Sequence, residues 1–195
     1  MKGRATHRRN EHARRAVLHA ADDLLAERGF AGVTIEGIAA RAGVAKQTIY
    51  RWWPSKAEVL LDTLIEDSET RLSPPATGSA RNDARRYLRS LATFIAKDAA
   101  GKVLLALIGE AQHDEKIAAI FHARYLGPQR SREREMLARG VASGELRADL
   151  DLDGALDALC GPVVYRALLS GRPISRRFTD RLVADVLGTE PAVGG

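Results

Sequence analysis

Between residues 34 and 56 the chain reads Thr-Ile-Glu-Gly-Ile-Ala-Ala-Arg-Ala-Gly-Val-Ala-Lys-Gln-Thr-Ile-Tyr-Arg-Trp-Trp-Pro-Ser-Lys, and no other stretch restricts the fold as strongly. Ile35, Ile38, Ala39 and Ala42 recur at the spacing of a helix that buries one face. Thr34 stands where its hydroxyl can cap that helix. Gly43 supplies a residue that tolerates a left-handed turn, and Val44 returns the chain inward. A second short helix is predicted over about 45–52, with Val44, Ile49 and Trp53 facing the core. The residue before a proline is pushed out of the helical region, so Trp53-Pro54 closes it. Ser55 with Glu58 then reads as a capping box opening the next helix.

Two short helices joined by a glycine-containing turn follow the helix-turn-helix plan. The residues left facing outward on the second helix are Lys46, Gln47, Thr48, Tyr50, Arg51 and Trp52. Arg and Lys suit guanine edges and phosphates, Gln can pair with adenine, and hydroxyls reach phosphate oxygens. Aromatic rings among cations outside the apolar stripe are more than a solvated face requires. Charge agrees with this. The net charge is +5, and residues 1–56 hold 11 Lys/Arg against 5 Asp/Glu, whereas the remainder holds 19 against 20. The positive excess therefore sits beside the helix-turn-helix, as a DNA footprint requires.

The pattern Ile35-x-x-Ile38-Ala39-x-x-Ala42-Gly43-Val44-x-x-x-Thr48-Ile49-Tyr50-x-x-Trp53-x-x-Lys56 resembles the DNA-binding motif of the tetracycline-repressor (TetR) family of bacterial regulators. Trp53 departs from the Phe more common there, and an indole fills that slot if its N–H finds a partner. Carried over position by position, the motif implies base or near-base contacts by Lys46, Gln47 and Arg51. It implies phosphate positioning by Thr34, Thr48, Tyr50, Trp52 and Lys56.

The rest of the chain reads as helices throughout, about nine in all. Lys2, Arg4, His7, Arg8 and Arg9 form a basic arm, expected to be disordered when free and suited to a minor groove. A first helix is predicted from about Glu11 to Arg28, buried along Ala13, Val17, Ala21, Leu24 and Leu25, and ended by Gly29-Phe30. After the helix opened by Ser55, residues 73–78 form the main linker. A helix over 79–100, stopped by Gly101, precedes a short apolar one over 103–111. The Gly127-Pro128 step is expected to kink a later helix. In the last helix pair, Leu156, Leu159, Cys160, Val163, Val164 and Ala167, with Phe178, Leu182 and Val186, are apolar over more than one face. Such a helix lies deep in a core or at a subunit interface. A chain this small offers little depth, so the interface is favoured, as the family's C-terminal helix pair also implies. Gly161 would permit close helix approach there, and Pro162 should bend the rod.

The expectation is an all-α homodimer. Residues 1–56 form the helix-turn-helix domain with its basic arm, and residues 57–195 form a helical dimerisation and ligand domain. The family further implies an inducer held among the middle helices, where Phe94, Leu105, Ile108, Phe121, Tyr125 and Tyr165 could line a pocket. No hydrolase elbow, phosphate loop, cysteine pair or His-Glu-x-x-His is present, so no enzyme, cofactor or metal is expected. His113-Asp114-Glu115 with His122 has metal-ligand residue types, but a lone cluster at a helix junction is ordinarily solvated. One cysteine and no long apolar run suit a cytoplasmic protein. The function expected is a repressor relieved by a small molecule and bound to a palindromic DNA operator. The alternative is a dimeric DNA-binding protein that answers to no ligand.

Overall fold

The computed structural model describes residues 2–188, with side chains from residue 10 onward. Those residues are helical without a strand. Contacts gather them into two compact units, one built from residues up to 69 together with 97–125, the other from 70–96 together with residues from 126.

In the first unit, α1 (Lys2–Gly32) is interrupted at Gly29, whose φ of 67° is left-handed. The helix begins earlier than the pattern predicts, because the arm contains no proline and is rich in residues that favour helix. How the side chains of Lys2, Arg4, His7, Arg8 and Arg9 lie is outside the described residues. Then come α2 (Ile35–Ala42), α3 (Lys46–Tyr50) and α4 (Lys56–Arg71). The unit is completed by α6 (Ala99–Ala111) and α7 (Glu115–Phe121), α6 packing on α1. Val17, Ala21, Leu24, Ile38, Ile49, Trp53, Leu60, Leu64, Val103 and Leu107 are buried here.

The second unit contains α5 (Ala80–Lys97), α8 (Gly127–Ala142), α9 (Leu152–Tyr165) and α10 (Arg176–Leu187). Leu88, Met136, Leu137, Leu156, Leu159 and Val183 fill its interior. Glu145 closes the N-terminus of α5, accepting from the Ala80 N–H at 2.6 Å, the Arg81 N–H at 3.0 Å and the Ser79 hydroxyl at 2.9 Å. Burial works against the charge, but these bonds outweigh it and hold the carboxyl below its usual range. Arg81 in turn donates to the carbonyls of Leu187 and Gly188 at 3.1 Å, tying the start of α5 to the end of α10.

Several boundaries differ from the sequence reading. The break between α5 and α6 falls at Asp98, in extended backbone, and Gly101 lies buried inside α6 rather than stopping α5. Pro128 does not interrupt the helical run, which continues from Glu115 to Ala142. A proline lacks the N–H that the fourth preceding carbonyl needs, and the helix absorbs the loss as a π turn over His122–Leu126. With α7 and α8 joined through that turn, the described residues make nine rods. Pro162 differs in lying before its neighbouring π turn, Arg166–Ser170.

The dimer-face expectation needs correcting in part. Leu156, Leu159 and Val163 are at most 1% exposed within the single chain, so they belong to its own core. Cys160, Val164, Ala167, Phe178, Leu182 and Val186 are half-buried. The large hydrophobic residues that this last stretch leaves exposed are Tyr165, Leu168 and Leu169, at 58%, 42% and 75% exposure. A Cβ at Gly161 would meet nothing within 4 Å, so no helix among the described residues approaches it closely.

Candidate nucleic-acid interface

The geometry starts with caps. Thr34 is extended, and its Oγ1 accepts from the Gly37 N–H at 3.0 Å, which starts α2 where the sequence places it. Gly43 ends α2 at φ 66°, ψ 33°, a conformation in which an L side chain would crowd the backbone. The Val44 N–H reaches back to the Ala39 carbonyl at 3.1 Å.

The five residues of α3 form a segment too short to be stable by itself. It is held from behind. Ile49 is wholly buried and Trp53, just beyond the segment, is 2% exposed. The Trp53 indole N–H donates to Asp62 Oδ2 of α4 at 2.8 Å, the partner that an indole in this slot requires. Trp52 meets Trp53 edge-on with centroids 5.4 Å apart, and the Arg51 guanidinium lies 5.3 Å above the Trp52 ring. Ser55 caps α4, accepting from the Glu58 N–H at 3.3 Å.

With the inner side anchored, Lys46, Gln47, Tyr50 and Arg51 are exposed, while Thr48 and Trp52 are half-buried. Residues 45–56 contain three cations and no acid. Lys46 reaches back to Glu36 of α2 at 3.1 Å. Both partners are largely in water, where such a pair contributes little and yields readily to a phosphate or base edge. Lys56 is placed differently from its neighbours. Its ammonium donates to the Phe30 carbonyl at 2.8 Å and lies 4.4 Å over the Phe30 ring, so one of its three N–H donors joins α4 to the end of α1.

Contacts beyond the reach of sequence reasoning complete the frame. Arg41 of α2 forms a two-pronged ion pair with Glu27 of α1, both bonds 2.7 Å. Arg124, in the π turn, donates to Asp62 and stands 3.9 Å from Glu58. Neither pairing has a local signature, because the partners are 14 and 62 residues apart.

The residues expected to line a ligand pocket are dispersed in character. Phe121 and Tyr125 are buried in the first unit with ring centroids 5.4 Å apart, and Leu105 and Ile108 are half-buried there. Phe94 is buried in the second unit, whereas Tyr165 is exposed and so is removed from any interior lining. The buried phenol with a polar network is instead Tyr87. It donates to Glu133, and Gln129 Nε2 lies 3.1 Å from the Tyr87 oxygen and 3.2 Å from Glu133. Burial pushes both acids up, Tyr87 strongly and with help from the Glu133 charge. Burial, followed by Glu133, also raises the Cys160 thiol far above its usual range, consistent with a small hydrophobe. Asp114 is spent as the cap of α7, accepting from the N–H groups of Lys116 and Ile117. No described helix is long and apolar enough to cross a membrane.

Comparison with known proteins addresses the same segments. Residues 17–63 match the family described as bacterial regulatory proteins, tetR family. Residues 74–186 match the tetracyclin repressor-like C-terminal domain. The uncharacterised HTH-type transcriptional regulator YdeS of Bacillus subtilis is 39% identical, over 90% of this chain and 88% of its own. The DNA-binding transcriptional repressor TetR of Mycobacteroides abscessus is 29% identical, over 92% and 94%. The solved structure of the TetR family transcription regulator SCO0332 superposes with a TM-score of 0.78 at 35% identity, covering 92% of this chain and 99% of that one. A helix-turn-helix whose exposed second helix is seated on a buried Ile and Trp, followed by the matching C-terminal domain, thus places the chain in the TetR family of DNA-binding transcriptional regulators.

Proposed function

We propose that the protein is a repressor that holds a palindromic operator as a homodimer and releases it when a small molecule binds. The observation that carries this reading is the division of labour in and around α3: Ile49 and Trp53 buried, Lys46, Gln47, Tyr50 and Arg51 outward. In this reading residues 1–56 meet DNA, and residues 57–195 dimerise and receive the ligand. Lys46, Gln47 and Arg51 reach base edges, and Thr34, Thr48, Tyr50, Trp52 and Lys56 position phosphates. Lys56 keeps two donors free of Phe30 for that purpose.

Dimerisation is supported by Tyr165, Leu168 and Leu169, which stay in water in one chain and lie next to half-buried Val164 and Ala167. A two-fold pair of α3 segments would read successive major grooves about 34 Å apart. The adjacent, mutually tilted rings of Phe121 and Tyr125 could form an aromatic wall for an apolar or aromatic ligand. Such a ligand acts only by binding the DNA-incompetent state more tightly. The protein acts by binding rather than by catalysis, in the cytoplasm where its DNA lies. Selection of bound DNA from a random pool tests the reading. Two inverted half-sites about one turn apart are expected, and a single asymmetric half-site or no enrichment would overturn it.

A further inference from the structure

The residues that close the reading segment, Trp53, Pro54 and Ser55, are held at both ends by carboxylates of α4. Asp62 accepts the Trp53 indole N–H at 2.8 Å. Glu58 engages Ser55, its N–H donating to the hydroxyl at 3.3 Å, with the hydroxyl 3.5 Å from its own Oε1. Asp62 and Glu58 are four residues apart, so they share one face of α4. A single guanidinium spans both: Arg124 donates through Nη2 to Asp62 Oδ1, and its Nη1 stands 3.9 Å from Glu58 Oε2. Arg14 of α1 approaches Asp62 from another side, at 3.8 Å. The Asp62 side chain is only 15% exposed, so its ties to Arg124 and Trp53 are less screened than pairs in open water.

Arg124 sits in the π turn His122–Leu126, one residue before Tyr125 and three after Phe121. Arg124 is the side chain of that turn that reaches the two acids of α4 beneath the reading segment. We infer that Arg124 is a positioning residue for DNA reading, one that reports the state of the Phe121–Tyr125 segment to α3 through Asp62 and Trp53. This rests on the reading of the protein as a ligand-relieved DNA-binding regulator.

The test uses full-length Arg124→Gln, Asp62→Asn, the double variant and Arg124→Lys, with DNA selected by the unaltered protein. Arg124→Gln and Asp62→Asn should each bind that DNA about tenfold more weakly, equivalent to ~1.4 kcal/mol. The double variant should lose no more than the worse single one, because both remove one connection. Arg124→Lys should recover part of the loss. In a Trp52→Phe background without DNA, Arg124→Gln should also shift the Trp53 emission, while thermal midpoints stay within a few degrees. Affinity within twofold for Arg124→Gln, multiplicative losses in the double variant, or unmoved Trp53 emission would overturn the inference. If the unaltered protein enriches no DNA, the regulatory reading fails by itself, and the emission measurement still decides whether Arg124 communicates with Trp53.

Discussion

Asp22 offers a quantitative test of how α1 and α4 are held together. It is half-buried beside a cleft of about 250 Å³ lined by Arg15, His19, Thr63, Glu66 and Asp67. One of its oxygens, Oδ1, is buried without a hydrogen bond among the described residues. Burial, reinforced by the nearby Asp67 and Asp23 and opposed by the Thr63 hydroxyl and His19, raises its pKa from an ordinary 3.8 to about 6. A carboxyl raised in the folded state binds its proton more tightly there than in the unfolded chain. Folding stability is therefore lost as pH rises from about 4 through about 6, and ionised Asp22 opposes the fold above that range. Two pH units would amount to ~3 kcal/mol. Partial access to water screens the charge and reduces this to ~1–2 kcal/mol. Asp22→Asn, which imitates the protonated carboxyl, should raise stability by that amount at pH 7.5 and change it little at pH 4, as read from urea unfolding at both values. An unimproved midpoint at pH 7.5, or a gain of equal size at pH 4, would refute the reasoning.

Other consequences can be checked separately. Gly140→Ala should destabilise by ~1–3 kcal/mol in denaturant unfolding, since its Cβ would fall 2.4 Å from the Ala80 Cβ and 2.8 Å from Leu146. Thr34→Ala should cost ~1 kcal/mol by stripping the cap of α2, again measured by unfolding. Lys56→Ala should weaken DNA binding evenly across sequences and reduce the salt slope of log affinity by about one. Gln47→Ala should instead cost ~1–3 kcal/mol on the preferred site and relax discrimination at one base pair, measured by competition between operator variants.

Features that depend on near neighbours could be read from the chain. The Thr34 cap, the left-handed Gly43, the burial of Ile49 and Trp53, and the closure at Pro54 all follow from residues within one or two turns of each other. Features that depend on distant partners could not. Glu145 capping α5, Arg41 clasping Glu27 and Arg124 spanning two acids of α4 involve charged residues with nothing in their surroundings to single them out. Gly101 misled for a related reason. A glycine stops a helix only when it must adopt left-handed backbone, and buried helical packing spares this one that duty. The apolar run of α9 was visible, but which part would be buried by its own chain depended on α8 and α10.

The brevity of α3 has an evolutionary consequence. Of its five residues only Ile49 is buried, and the buried Trp53 and the Asp62 that holds it lie outside the segment. In the proposed reading, the surface offered to a nucleic acid can therefore be rewritten at Lys46, Gln47, Tyr50 and neighbouring Arg51 with almost no penalty to folding. On that reading a lineage carrying this scaffold is free to change the DNA sequence it recognises in single steps, each tested by selection on recognition alone.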